Sequence, residues 1–201
     1  AKKNGDKQKE LNALASGNDY LAYYFLGEYY KQNKDYNQAI SHYIKSVNER
    51  TTFTQCYLQI AICYYELKNY MQAITYINQY LKVNSKDDFA YALRAKAHLG
   101  LNVYDTALSD ILTAIALENS IEYQYLEAKI LYHMRRYEQA KNKLEKLTNK
   151  IKDTISYIKI TRSLFCSACS FFSAKNKKGR AFLCFLCKNL VYLRHKNKVV
   201  F

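Results

Sequence analysis

The sequence predicts an all-α protein built as a linear array of antiparallel helix pairs, and three observations support this fold class. Four short stretches align, and their tyrosines are separated by 34, 34 and 33 residues; they are Tyr36, Tyr70, Tyr104 and Tyr137. The chain has no proline and only five glycines, which favours long helices with short connections. Before each tyrosine, apolar and small residues recur at spacings of three and four, the spacing of one helix face.

Each predicted pair begins with a helix whose packing face carries a small residue. These faces are Tyr23, Leu26, Gly27 and Tyr30; Tyr57, Ile60, Ala61 and Tyr64; Tyr91, Ala95 and His98; and Ala128 and Leu131. The second helix of each pair carries an alanine followed four residues later by a larger residue. These are Ala39/Tyr43, Ala73/Ile77, Ala107/Ile111 and Ala140/Leu144. Because small residues let two helices approach closely, we expect the two sets to meet in the core.

At these residues the sequence resembles the tetratricopeptide repeat family, whose pattern is an aromatic residue, Leu-Gly, a tyrosine, and later an alanine with an apolar residue four positions on. The match covers about residues 18–150. The chain lacks the family's proline at repeat ends and has no tryptophan, and Arg94 and Glu127 stand where the family has leucine. The resemblance implies a right-handed superhelix of about four repeats whose first helices line a concave groove for a peptide or helix of another protein.

We divide the chain into a polar N-terminal segment (1–17), four repeats (18–153) and a basic, cysteine-containing helix pair with a tail (154–201). The first residues are charged and lack the apolar centre of a signal peptide. No uncharged apolar run is long enough to cross a bilayer, so we expect an intracellular, cytoplasmic protein. The chain begins without an initiator methionine, as a processed product or a fragment does.

The residues one helical turn away from the packing faces are expected to line the groove. They are Leu21, Tyr24, Glu28 and Gln32; Gln55, Leu58, Ile62 and Tyr65; and Phe89, Lys96, Leu99, Tyr125, Lys129 and Tyr132. This largely aromatic and aliphatic lining favours an amphipathic helix or an extended apolar peptide, with tyrosines as anchors. The alternative is that some of these aromatic rings pack between repeats, since aromatic residues serve cores as readily as interfaces.

The resemblance also argues against one ligand. Family members that bind chaperone tails hold the terminal carboxylate with lysine, asparagine and arginine side chains. The matching places in this chain hold Tyr24, Glu28, Gln59, Phe89 and Leu93. Because none of these is a cation and Glu28 would repel a carboxylate, we predict that a chaperone C-terminal tail is not the ligand.

The C-terminal segment contains two Cys-x-x-Cys pairs with fourteen residues between them. These are Cys166/Cys169 and Cys184/Cys187. Four thiolates at this spacing suit tetrahedral zinc. The flanking residues are mostly apolar and lack turn formers, which favours core cysteines in a divergent fifth helix pair, 155–174 and 180–194. We therefore expect no cofactor; structural zinc, and a disulfide or redox pair, are the alternatives.

Positive charge is concentrated at the same end. Residues 1–140 carry a net charge of +1, whereas residues 141–201 carry +13. The candidate anion-binding residues are Lys175, Lys177, Lys178, Arg180, Arg194, Lys196 and Lys198. This asymmetry gives an alternative function, in which the basic end binds nucleic acid or an anionic membrane and the repeats position it. A solvated basic face with no partner is the simpler interpretation.

No sequence pattern indicates an enzyme. The chain has no glycine-rich phosphate loop, no Gly-x-Ser-x-Gly motif and no His-Glu-x-x-His motif. The four histidines fall in different units, without a carboxylate and a nucleophile nearby in the pattern. We therefore predict a non-enzymatic scaffold or adaptor that binds another protein.

Overall fold

A computed structural model of the chain describes residues 19–150 and Lys152. In this part of the chain all regular structure is helical. The helices are α1 (Tyr20–Gln32), α2 (Tyr36–Glu49), α3 (Gln55–Glu66), α4 (Tyr70–Leu81), α5 (Asp88–Gly100), α6 (Tyr104–Leu117), α7 (Ile121–His133) and α8 (137–150). The prediction of an all-α repeat array is confirmed.

The helices form a linear array of four pairs. Among the helices α1 to α7, each packs on the one before it and the one after it in the chain; α3 also contacts α5, and α5 contacts α7. The chain divides into two compact units, Ala1–Leu147 and Thr148–Phe201, and almost all of the second lies outside the described residues. The boundary at residue 153 stays a prediction. None of the described helices is long and apolar enough to cross a membrane.

The turn between the two helices of a pair is the same in all four repeats. Each turn contains one residue with φ near +60°; these are Lys34, Lys68, Asn102 and Arg135. The next backbone N–H then bonds a carbonyl near the end of the first helix, as in Asp35 N to Tyr30 O at 2.9 Å. This is a Schellman-type helix end, which usually uses glycine. Here a non-glycine residue accepts a cost of about 1–2 kcal/mol for that conformation.

The small residues predicted to pack are all in the core. Gly27, Ala61, Ala95 and Ala128 are buried on the first helices. Their counterparts on the second helices are equally buried; they are Ala39, Ala73, Ala107 and Ala140. Of the larger partners, Tyr43, Ile77 and Ile111 are fully buried, whereas Leu144 is partly exposed.

The closest approach is at Gly27. A Cβ atom there would lie 2.5 Å from Cε1 of Tyr43, whose side chain is fully buried. Tyr43 has no room to move, because its hydroxyl also donates to Oε1 of Glu28 at 2.5 Å. The repeat therefore requires glycine here for space and not for backbone conformation.

A Gly27→Ala variant tests this contact. We expect the free energy of unfolding in urea to fall by about 1–2 kcal/mol, because overpacking outweighs the gain in helix propensity. Gly100→Ala is the matched control: its Cβ would lie 2.5 Å from a ring atom of Tyr70. Tyr70 is only half-buried and can turn away, so the loss should be smaller. Equal losses in the two variants would contradict the proposed close approach.

Aromatic rings fill the space between the helices in the first two repeats. His42 stacks on Tyr30 with ring centroids 5.2 Å apart and planes 4° from parallel. At the equivalent places of the second repeat, Tyr76 stacks on Tyr64 with centroids 5.5 Å apart. Tyr23 also stacks on His42, and Tyr57 on Tyr76, with ring centroids 6.4 Å apart in both pairs. We call these two groups the aromatic stacks.

His42 is the least favourable residue of its aromatic stack, because it buries a polar ring atom. Its Nδ1 atom is buried and finds no hydrogen-bond partner among the described residues. Burial, and secondarily the charge of Lys45, lowers the pKa of His42 below its ordinary value of 6.5. The native state therefore binds this proton less readily than the unfolded state does. The stability that His42 contributes is present above pH 6.5 and is lost as the pH falls through the lowered pKa.

A His42→Tyr variant reproduces the stack of the second repeat. We expect it to be at least as stable as the parent at pH 7, and to lose less stability between about pH 7 and pH 5 because no proton is taken up at this place on unfolding. Urea unfolding at several pH values measures both. His133→Tyr, at an exposed place in α7, is the control. If the stability of His42→Tyr has the same pH dependence as that of the parent, His42 is not the source of the acid destabilisation.

Candidate functional site

The first helices of the four repeats lie side by side and form one continuous surface. Lys31 Nζ of α1 donates to Oε1 of Gln59 of α3 at 2.6 Å. Helix α5 packs directly on α3 and on α7. At the start of α7 the hydroxyl of Tyr123 donates to Oδ2 of Asp88, the first residue of α5, at 2.6 Å. We call this surface, formed by α1, α3, α5 and α7, the first-helix face.

The predicted groove residues differ in solvent exposure: seven are exposed, six are half-buried, and Leu58 is buried. Exposed side chains are Leu21, Gln32, Phe89, Lys96, Tyr125, Lys129 and Tyr132. Half-buried side chains are Tyr24, Glu28, Gln55, Ile62, Tyr65 and Leu99. The strongest apolar exposure is on α7, where Tyr125 is 58% and Tyr132 60% exposed. That these residues bind a ligand stays a prediction.

Leu58 is the exception, and including it in the groove was wrong. It is 5% exposed and belongs to a core cluster with Ile77, Tyr80 and Leu93. Helix α3 lies inside the array and packs on α2, α4 and α5, so a larger part of its circumference is covered than in a helix at the end. The helix period gives the direction of a side chain but not the extent of the neighbouring helices.

Some of the predicted anchors also serve the core. The ring of Tyr24 lies 5.7 Å from Tyr43 and 5.2 Å from Phe53. The ring of Tyr65 lies 5.6 Å from Tyr70 and packs on the second repeat's core. Tyr24 and Tyr65 therefore pack against neighbouring helices with part of their rings, as the alternative interpretation expected.

Phe25 is an exposed aromatic residue that the helix period did not select. It is 52% exposed and lies one turn from Leu21. In the other repeats its place is taken by Gln59, Leu93 and Leu126, and the last two are buried against the preceding repeat. The described residues contain no repeat before α1, so Phe25 lies at the edge of the described part of the array. The sequence signal for this exposed residue was an aromatic side chain at a place where the other repeats have glutamine or leucine.

The polar residues between α1 and α3 are held in a network. Oε1 of Glu28 accepts from the hydroxyl of Tyr43 at 2.5 Å and from Lys31 Nζ at 2.6 Å. Burial, and then the hydrogen bond to Glu28, raises the pKa of Tyr43, so this phenol keeps its proton and acts as the donor. Sequence reasoning left Lys31 out, although its place three residues after Glu28 is the spacing of a helix ion pair.

Two ion pairs, each with a buried carboxylate, explain the departures from the family pattern. Arg94 donates Nε to Oδ2 of Asp110 at 2.9 Å and Nη2 to Oδ1 at 2.6 Å, while Asp110 is 7% exposed. Lys143 donates to Oε2 of Glu127 at 2.7 Å, and Glu127 is 5% exposed. Each pair joins residues sixteen apart at the same two places of its repeat, with the charges reversed.

Sequence reasoning noted Arg94 and Glu127 but missed their partners. The same two places hold Leu26 and His42 in the first repeat, and Ile60 and Tyr76 in the second. The signal was an opposite charge sixteen residues after each unexpected charge. Arg94 also reaches the preceding repeat, since its Nη1 donates to Oδ1 of Asn78 at 2.7 Å.

An Arg94→Leu variant restores the family's residue but leaves Asp110 buried without its arginine, with His98 Nε2 at 3.7 Å as a counter-charge only when that histidine is protonated. We expect the free energy of unfolding to fall by about 3 kcal/mol, because an uncompensated buried carboxylate remains. The double variant Arg94→Leu/Asp110→His recreates the combination of the first repeat and should recover at least half of the loss. Urea unfolding of the parent, both single variants and the double variant measures the coupling. Additive losses would show that the pair is not coupled.

Comparisons with known proteins agree with this geometry. A family model described as "Anaphase-promoting complex, cyclosome, subunit 3" matches residues 11–80. The structure of MamA (41–end) from Desulfovibrio magneticus RS-1 is similar with a TM-score of 0.71 at 17% identity, covering 75% of this chain and 86% of that chain. The first tetratricopeptide repeat domain of Spaghetti (RPAP3), bound to the HSP90 peptide SRMEEVD, is similar with a TM-score of 0.56 at 24% identity, covering 58% and 94%.

The described helices have the tetratricopeptide repeat fold. The tetratricopeptide domain of Arabidopsis OM64 is a further similar structure, with a TM-score of 0.54 at 22% identity and coverage of 57% of this chain and 95% of that chain. At such identities these likenesses concern the fold. A search of curated proteins found no match.

The candidate sites of the C-terminal end lie outside the described residues. They are the cysteines Cys166, Cys169, Cys184 and Cys187 and the cations Lys175, Lys177, Lys178, Arg180, Arg194, Lys196 and Lys198. Within residues 19–150, no three His, Cys, Asp or Glu side chains cluster as metal ligands would. Cys56 and Cys63 are free and buried, and burial raises the pKa of Cys63 to about 12. These two cysteines pack in the tetratricopeptide core.

Proposed function

We propose that this tetratricopeptide repeat protein is a non-enzymatic scaffold whose first-helix face binds an apolar helix or extended peptide of a partner protein. The observation that carries the proposal is the row of exposed apolar side chains on aligned helices: Leu21 on α1, Phe89 on α5, and Tyr125 and Tyr132 on α7. Tyrosine and phenylalanine give large contact areas at low entropic cost, as the anchors of interfaces do.

The ligand is expected to be apolar in its central part. Tyr125 and Tyr132 are seven residues apart on α7, about two turns, so both rings present to the same side of the helix. Two exposed cations, Lys96 on α5 with Phe89 and Lys129 on α7 with the two tyrosines, suit a polar margin around the contact. Such an arrangement fits recognition of an amphipathic helix through anchors at helical spacing.

A chaperone C-terminal tail remains disfavoured as the ligand. The solved structure of the Spaghetti domain contains an HSP90 peptide. In this chain two cations stand near the matching places, and both are already engaged: Lys31 is paired with Glu28 and bonded to Gln59, and Arg94 is paired with Asp110. Leu93, another of the matching places, is buried. The cytoplasmic location, and the binding of nucleic acid or membrane by the basic end, stay predictions that no described residue supports.

Selection from a random twelve-residue peptide library, followed by fluorescence anisotropy with the selected peptides, tests the proposal. We expect enriched peptides to carry apolar residues at helical or alternating spacing. Tyr125→Ala, Tyr132→Ala and Phe89→Ala should each weaken their binding by about tenfold, the effect of losing one anchor.

The control is Met71→Ala, which removes an exposed apolar side chain from the second helix α4. It should leave the affinity unchanged. If the three first-helix variants bind the selected peptides as well as the parent does, or if Met71→Ala is equally damaging, the first-helix face is not the binding site.

A further inference from the structure

A second surface, distinct from the first-helix face, is formed by the last two described repeats. A cleft of about 430 Å³ lies between α6 and α8, with α7 as its floor. It is lined by Leu108, Leu112, Glu127, Leu131, Arg136, Gln139, Asn142, Lys143 and Lys146. None of these residues belongs to the predicted groove, and the volume lies in the range of ligand pockets.

The cleft exists because the fourth repeat lacks an aromatic stack. In the second repeat, Tyr57, Tyr64 and Tyr76 fill the corresponding space with three rings. The equivalent residues of the fourth repeat are Gln124, Leu131 and Lys143. Lys143 turns its ammonium group to Glu127 at 2.7 Å and leaves the volume of a ring unfilled. The opening is therefore a consequence of specific replacements in the repeat register.

The chemistry of the cleft is apolar inside and basic around it. Leu108 and Leu112 are one turn apart on α6, and Leu112 is 46% exposed. The lining contains three cations and one carboxylate, Glu127, a net charge of +2. Because Lys143 neutralises Glu127, the excess charge comes from Arg136 and Lys146, which are exposed. Arg136 directly precedes α8 and Lys146 lies within it, ten positions further on, or about 15 Å along the helix axis.

We propose that this cleft binds an acidic amphipathic helix of a partner protein, laid between α6 and α8. Its apolar side chains would contact Leu108, Leu112 and Leu131, and carboxylates near its two ends would pair with Arg136 and Lys146. Burial of apolar side chains supplies affinity, and the two charge pairs set orientation and partner choice.

Charge also argues against the other occupants. Residues 154–201 contain ten Lys or Arg residues and no Asp or Glu, a net charge of +10, so the chain's own basic end is repelled by a basic cleft. A second copy of the chain carries +14 in total and is disfavoured for the same reason. An acidic partner is attracted by both the cleft and the rest of the molecule.

A subtractive peptide selection on the full chain tests the proposal. Peptides of sixteen random residues are selected on the parent after depletion on the double variant Arg136→Glu/Lys146→Glu, which replaces two cations by two anions. We expect the surviving peptides to be rich in Asp and Glu, with Leu or Phe at spacings of three and four. Their affinity, measured by anisotropy, should fall at least tenfold in the double variant and decrease with added salt.

Two controls separate the cleft from general electrostatics and from the first-helix face. Lys141→Glu changes an exposed cation of α8 outside the cleft and should reduce affinity less than twofold. Tyr125→Ala should have no effect on these peptides. Circular dichroism and urea unfolding of each variant establish that it is folded.

The proposal is overturned if the surviving peptides carry no acidic excess, if Lys141→Glu weakens their binding as much as the double variant does, or if no peptide survives the depletion. Loss of binding in Tyr125→Ala alone would assign the acidic peptides to the first-helix face and would also overturn the cleft. Concentration-dependent mass in sedimentation that disappears in the double variant would identify a second copy as the occupant instead.

Discussion

The close approach of the two helices in each pair is the contact on which the rest of the array depends. A small residue on the first helix and an alanine on the second let the backbones come together, and the following pair then packs on the surface so formed. Both sets are buried in all four repeats, from Gly27 and Ala39 to Ala128 and Ala140. As long as these small residues meet, the other residues packed between the two helices can change without altering the spacing of the repeats.

The space beside this contact is where the repeats differ. The first two repeats fill it with the aromatic stacks, whereas the third and fourth use Arg94 with Asp110 and Glu127 with Lys143. A buried ion pair contributes less net stability than a well-packed apolar group of similar volume, because desolvation offsets much of the attraction. The cation is on the first helix in the third repeat and on the second helix in the fourth. Exchanging one helix alone between these two repeats would therefore place like charges opposite each other.

The fold was predictable from spacing alone because the register is fixed by residues that repeat at 34, 34 and 33 positions. The surface was less predictable, since exposure depends on what covers a helix face. Leu58 has the same place in α3 as Tyr24 in α1, yet it is buried by inner packing. Phe25 shows the opposite effect, since it is exposed at the edge of the described part of the array. Partners such as Lys31, Asp110 and Lys143 required a search for opposite charges across the repeat, which the apolar pattern does not prompt.

Helix α7 connects the two proposed surfaces. Tyr125 and Tyr132 are on its exposed side, while Glu127 and Leu131 form the floor of the cleft. Because the helix period separates these two sets, one rigid element can present an aromatic face and a partly charged face to different ligands without competition for space. One route of energetic coupling between them runs through α7 and the Glu127–Lys143 pair that ties it to α8. Such coupling is reciprocal. If a ligand in the cleft restrains α7 and so raises the affinity of the first-helix face for its own ligand, the ligand on that face raises the affinity of the cleft by the same factor.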